Sequence, residues 1–400
     1  MTSQADDIGR ARRISLAFFL AGFATFSLLY CVQPLLPLFS SEFGVTPSAS
    51  SFALSFTTFA LAFAIIGAAP VAERFGRRPV IGASLCLAVL CTLLVPLCRS
   101  WGLLVGLRLA EGVALGGVPA VAMAYLAEET PPARLAAARG LYIAGNAFGG
   151  MMGRVLTGFL TGLFGWRLAL AGLGGLDMVA TVGFWLLLPP PRHGAGMARP
   201  RFSAAENLRA WGQHLRHPAL ALLFFEGFAV MGVFVTSYNY IGYRLGAAPY
   251  SLSQSVLGAL FLVYAFGMVA SGMAGRAVRW LGYGGGLFAG LVLQFGGIVL
   301  TLGGALWVIM LGITLLTIGF FLAHAVASGW VGHLASVAKG HASSLYLLAY
   351  YIGSSVVGSS GGLFYHQFGW RGLVGFVLVI SGAGLAAALG LARLTRAPAT

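Results

Sequence analysis

Charge is scarce in this sequence: Asp, Glu, Lys and Arg make up 8% of its 400 residues, against 58% hydrophobic, and the mean hydropathy is +0.89. Soluble domains carry roughly a quarter charged residues, so one or two water-soluble domains are excluded. Cysteine is sparse too. Cys31, Cys86, Cys91 and Cys98 all fall in apolar stretches with no metal-ligand spacing, which supports neither a disulfide framework nor a zinc site. A nucleotide-binding loop, paired metal ligands and a serine-histidine-acid arrangement are all missing, and His333 and His341 lack ligand spacing. The chain is therefore expected to be no enzyme, to hold no metal or cofactor, and to run on an ion gradient rather than ATP.

What the sequence has in abundance is long apolar runs. A bilayer is crossed by about 20 apolar residues rising 1.5 Å each. Twelve such spans are expected near residues 14–39, 50–72, 80–98, 102–126, 138–162, 167–188, 218–243, 252–274, 283–303, 306–331, 342–364 and 371–391. The first follows a short basic segment, as a signal peptide would, but it is too long and lacks a small-residue cleavage site, so it is expected to stay attached.

The net charge of +14 would suggest nucleic acid in a soluble protein. Here the distribution of arginine accounts for it, and no nucleic-acid partner is expected. With the N-terminus placed in the cytoplasm, most of the Lys and Arg fall in inside segments, against Arg99, Arg167, Arg244 and Arg371 outside. Arg108 and Arg154 lie within spans. A multi-pass protein of the cell (inner) membrane with both termini cytoplasmic is expected.

Shifting the sequence on itself by 204 residues places Leu141 on Leu345, Tyr142 on Tyr346, Gly149 on Gly353, Gly158 on Gly362, and the FGWR at Phe164 to Arg167 on the FGWR at Phe368 to Arg371. Spans five and eleven are thus equivalent members of two six-helix halves, a transporter design. The expected organisation is an N-terminal bundle over 1–188, a cytoplasmic linker over 189–217 beginning Pro189-Pro190-Pro191 with a short surface helix around 203–215, and a C-terminal bundle over 218–400.

Several motifs in the right order resemble the major facilitator superfamily. Glu73-Arg74-Phe75-Gly76-Arg77-Arg78-Pro79 after span two is similar to its loop signature, with Glu73 where Asp is usual and Ala69 at the usual glycine. Arg108, Glu111, Gly112 and Gly116 resemble its arginine-glycine motif, and Glu128, Pro131, Arg134, Arg139 and Gly140 the segment that follows. Gly145-Asn146-Ala147-Phe148-Gly149-Gly150 is similar to the antiporter motif with Asn146 in place of proline, and Gln33-Pro34-Leu35-Leu36-Pro37 resembles an element of the drug and metabolite efflux branch. The resemblance implies an all-α membrane protein of twelve helices in two pseudo-symmetric bundles, working by alternating access. It also implies a conformational latch of Glu73, Arg74, Gly76, Arg77, Arg78 and Arg139, with Glu73 pairing Arg139. Fixing topology is the alternative role for these charges.

Buried charge marks the candidate site. A charge at a helix centre costs at least about 2.5 to 3.5 kcal/mol, so Arg154 needs a partner or a cavity. Counted from the outer span ends, Arg108 lies about 9 Å deep, Arg154 and Glu111 about 12 to 14 Å, and Asp177 about 15 Å, so the four share one layer. Two readings stand for them: a structural ion-pair network locking spans four to six, or proton carriage by Glu111 or Asp177. In the second half Glu226 and His324 lie at matching depth, about 10 to 12 Å from the inner surface, and form a candidate proton relay. Tyr30, Gln33, Asn146, Tyr240, Phe320, Tyr346 and Tyr350 supply aromatic and polar surface for a substrate, on helices that the resemblance assigns to the cavity.

The expected function is proton-coupled efflux of a small amphipathic drug or metabolite by a monomer in the lipid bilayer. The alternative is proton-coupled uptake of an organic anion held by Arg108 or Arg154.

Overall fold

A computed structural model describes residues 2–190, 204–335 and 338–396. Among these residues the structure is helical throughout. The helices are α1 Thr2–Tyr30, α2 Leu36–Phe43, α3 Pro47–Phe75, α4 Arg77–Leu94, α5 Trp101–Leu115, α6 Gly117–Glu129, α7 Pro132–Phe164, α8 Trp166–Leu187, α9 Ala204–Arg216, α10 Pro218–Gly246, α11 Gln254–Ala259, α12 Tyr264–Leu300, α13 Leu306–Leu334 and α14 Lys339–Arg396. Residues 191–203, most of the proline-led linker, lie outside the described residues, and α9 stands where a surface helix is expected.

Among the described residues, ten helical stretches are long and apolar enough to cross a membrane. Two of them are each two helices joined at one glycine, Gly282 (φ 70°) in α12 and Gly369 (φ 62°) in α14. Counting each joint as a turn gives the twelve passes. The duplicated FGWR is this joint: Gly165 (φ 79°) between α7 and α8 and Gly369 take a left-handed backbone that a Cβ would disfavour. The tryptophan that follows opens the next helix in both halves, and Trp370 is anchored by its indole N–H to the Thr301 carbonyl at 3.1 Å.

Span one is not continuous, as the sequence reading had it. It breaks after Tyr30 into a short 3-10 turn, Gln33–Leu35, before α2 resumes. Pro34 and Pro37 offer no N–H to the preceding turn, so the α ladder cannot run through. Span four breaks between α5 and α6 for a like reason, with Pro119 following the Gly116-Gly117 pair.

The chain forms two units. The first comprises Met1–Leu35, Phe56–Arg199 and Ser253–Phe261; the second comprises Leu36–Ser55, Pro200–Leu252 and Leu262–Thr400. In the first, α1 packs on α7 along Gly145, Gly149 and Gly153, where a Cβ would run into backbone of Phe19, Phe23 and Ser27. Small residues thus bring two backbones into contact where lipid supplies no hydrophobic drive. An apolar core of Phe18, Tyr125, Tyr142 and Phe184 fills the basic end of this unit. In the second unit α10 packs on α14 the same way, with Gly353 against Phe228.

Candidate functional site

The break in span one gathers the buried charges of the first unit. A helix end leaves carbonyls without partners, and Arg108 of α5 supplies them: Nη1 donates to the Leu28 carbonyl at 3.1 Å and Nη2 to that of Leu29 at 2.7 Å. The same Nη1 lies 2.6 Å from Glu111 Oε2, and both side chains are fully buried. One turn of α5 therefore carries an ion pair that also caps α1.

Arg154 of α7 reaches the other side of the break. Its Nε donates to Gln33 Oε1 at 2.5 Å and its Nη1 to the Gly150 carbonyl at 2.5 Å, and the guanidinium lies 3.9 Å from the Tyr30 ring centre and 5.4 Å from that of Phe261. An amide, a carbonyl and two aromatic faces suit a delocalised planar cation. Asp177 of α8 is fully buried and accepts from the Ser27 hydroxyl at 2.9 Å. The four groups gather about residues 27–33 of span one, and among the described residues they do not form one ion-pair network: Arg108 and Glu111 pair, Arg154 takes Gln33 and Asp177 takes Ser27. Asn146, where a proline is usual, turns its side-chain oxygen toward α1 at Gly22.

Among the described residues, the second unit holds the buried carboxyl of Glu226. Glu226 of α10 is fully buried, and neither of its oxygens has a hydrogen-bond partner among the described residues. Oε2 points at Gly384 of α14, near Leu291 of α12, where an added Cβ on Gly384 would lie 3.3 Å from it. Glu226 and His324, expected to form a relay, share no hydrogen bond among the described residues. His324 Nδ1 bonds instead to the Tyr346 hydroxyl at 2.9 Å and its ring lies 4.7 Å from Tyr350. Tyr346 of α14 lies between the two groups, bonded to His324 and within electrostatic range of Glu226.

Around His324 the aromatic residues do come together. Phe320 stacks on Phe234 at 3.7 Å and lies parallel to His324, and Tyr346 packs over Gly227, the neighbour of Glu226. Phe321, on the span-ten face with Phe320 and His324, joins this cluster; Phe234 and Tyr238 also join it and were not singled out from sequence, where aromatic spacing on one helix cannot show a partner on the next. Tyr240 lies elsewhere, fully buried with its hydroxyl on the Gly358 carbonyl at 2.9 Å and its ring 5.8 Å from Tyr365.

At the basic end of the first unit the loop signature makes different pairs from those expected. Glu73 is exposed and forms no ion pair with Arg139 among the described residues; Arg77 instead pairs with Glu128 at 2.7 Å and Arg10 with Glu129 at 2.7 Å. Gly76 (φ 89°) makes the turn, Arg74 lies over Phe75, and Arg78 lies over the Trp185 ring at 5.4 Å. The sequence signal for the missed partners is present: Glu128-Glu129 is an adjacent acid pair in segments that are otherwise basic.

The comparisons agree with this architecture. The family model described as Major Facilitator Superfamily matches residues 14–358. The chain is 44% identical over 368 residues to the Escherichia coli inner membrane transport protein YnfM, covering 92% of this chain and 88% of that one. It is 42% identical over 366 residues to the Bacillus subtilis uncharacterized MFS-type transporter YybF, covering 92% and 90%. Among solved structures it resembles the nucleoside transporter NupG (D323A mutant), with a TM-score of 0.79 at 12% identity over 96% of this chain and 100% of that one. That last likeness concerns the fold alone. The protein is a multi-pass membrane transporter and not an enzyme, and it belongs to the major facilitator superfamily.

Proposed function

We propose that the protein exports a small amphipathic or aromatic compound in exchange for protons, as a monomer in the inner membrane with both termini cytoplasmic. The observation that carries this reading is Glu226, a carboxyl sealed in the second unit with neither oxygen bonded. A bare carboxylate in such a place costs several kcal/mol, and taking up a proton removes that cost. Loading and unloading that proton therefore requires the surrounding helices to rearrange, which is the coupling a secondary transporter needs. The aromatic cluster of Phe320, His324, Tyr346 and Tyr350 favours a flat or amphipathic solute over a hydroxylated one. Arg77 with Glu128, and Arg78 over Trp185, act in this reading as a latch whose making and breaking accompanies the change of state.

Inverted membrane vesicles test the proposal. A respiration-driven pH gradient is established, and amphipathic cations, antibiotics and organic acids are added in turn to vesicles carrying the wild type, Glu111→Gln or Glu226→Gln. Collapse of the gradient by some compound with the wild type and not with Glu226→Gln is the expected result. No response to any compound, together with accumulation of radiolabelled organic acids in whole cells, would overturn export and favour anion uptake at Arg154, whose planar guanidinium would exchange Gln33 for the substrate carboxylate.

A further inference from the structure

The basic ends of the two halves differ, and the difference opens a groove. The joints give the correspondence between halves. Trp166 and Trp370 each follow the joint glycine, so Phe184, Trp185 and Leu188 at the end of α8 match Ala388, Leu389 and Ala392 in α14. Gly76 and Gly282 each open the third helix of their half, so Arg77 and Arg78 match Tyr283 and Gly284. Thr130 and Ala335 each cap the fourth span, so Glu128 matches His333.

In the first half this end is filled. Phe184 and Leu188 are buried, the Trp185 ring occupies the space at Gly82, Arg78 lies over that ring, and Arg77 pairs with Glu128. In the second half each of these groups is smaller or lacks charge of opposite sign. Two alanines and a leucine replace the large side chains, Gly284 replaces the arginine, and the ion pair becomes a stack of Tyr283 on His333 at 5.2 Å and on Trp330 at 5.6 Å. What remains is a cavity of about 550 Å³ whose walls include Phe288, Trp330, Ala388 and Ala392. Its lips, Leu281 and Leu389, are 57% and 51% exposed, so it opens on the apolar flank of the helices.

Charge identifies the occupant. After Glu226 the sequence contains no Asp or Glu, while the same end of the second half carries exposed Arg276, Arg279, Lys339 and Arg393. Arg393 adjoins Ala392 of the groove wall and Arg279 lies two residues from Leu281. Trp280, 79% exposed, is the kind of residue that settles at the headgroup level. We infer that this groove binds an anionic phospholipid of the leaflet on the basic side. One acyl chain lies in the slot left by the missing Phe and Trp, and the headgroup phosphate meets Arg279 and Arg393 beside the rings of Tyr283 and His333.

Native mass spectrometry of the purified full-length protein tests this by titration with dioleoyl-phosphatidylglycerol or dioleoyl-phosphatidylcholine. The wild type is expected to retain phosphatidylglycerol in preference, and Arg279→Gln and Arg393→Gln each to weaken that retention about fivefold while leaving phosphatidylcholine unchanged. Filling the slot as the first half does, with Gly284→Arg and Leu389→Trp together, should reduce retention of both lipids. Should that variant lose its wild-type melting temperature, the gentler Gly284→Ala with Leu389→Phe must give the same result. Equal retention of the two lipids by the wild type, or retention unaffected by filling, overturns the inference. So does a dimer mass that the filling variant abolishes, which would assign the groove to a second copy of the chain.

Discussion

The two units handle buried charge differently, although the first, like the second, buries a carboxyl outside any ion pair shown among the described residues, Asp177 on Ser27. The first spends its cations on structure: Arg108 is neutralised by Glu111 and caps α1, and Arg154 is seated on Gln33 and Tyr30. Among the described residues, the second leaves the buried Glu226 carboxyl without a hydrogen bond and surrounds His324 with aromatic rings. Duplicated helical frames thus carry different chemistry. The lesson is that a buried ion pair and a buried lone acid respond in opposite ways to an isosteric loss of charge.

Four substitutions sharpen or break that contrast. The largest effect is expected from Arg108→Ala, which strands Glu111 without a counter-charge and should cost about 3 to 5 kcal/mol, read as a collapse of the thermal melt in detergent. Replacing Arg108 and Glu111 together by methionine should recover most of this loss, and a double variant as unstable as the single would show that the α1 carbonyls, not the pair, are what Arg108 serves. Next comes Glu226→Gln, expected to abolish proton-linked transport in vesicles while the melting temperature stays at or above wild type, since no hydrogen bond is lost; a large fall in stability would give Glu226 a structural role instead. Arg154→Lys keeps the charge but gives up the planar contact with Tyr30, a loss of about 0.5 to 2 kcal/mol by the same melt. The smallest effect belongs to Arg77→Ala, whose pair with Glu128 is partly exposed and worth about 1 kcal/mol or less. A transport defect in that variant without a stability defect would mark the pair as a latch.

Much of this frame is legible in the residues. Hydropathy locates the spans because the bilayer sets their length, and the duplicated FGWR marks the joints because only glycine takes the required backbone there without strain. Depth is readable as an expectation, since rise per residue is fixed, and it puts Arg108, Glu111, Arg154 and Asp177 in one layer. Their partners are not, because depth leaves the rotation of each helix open. Glu226 and His324 share no hydrogen bond among the described residues although Tyr346 lies near both, and Glu73 is expected to pair with Arg139, whereas an ion pair at that end joins Arg77 to Glu128. The 3-10 turn in span one was written in Pro34 and Pro37, but that Arg108 would cap the helix before it depends on contacts between spans far apart in sequence.

The single-glycine joint at Gly369 also bears on how the chain is made. With one residue between the passes, the end of one helix cannot reach the bilayer surface without bringing the start of the next to the same level. Residues 339–396 are thereby committed to entering the membrane as one helical hairpin, and a ribosome stalled midway through them would hold half of a pair with no partner to pack against.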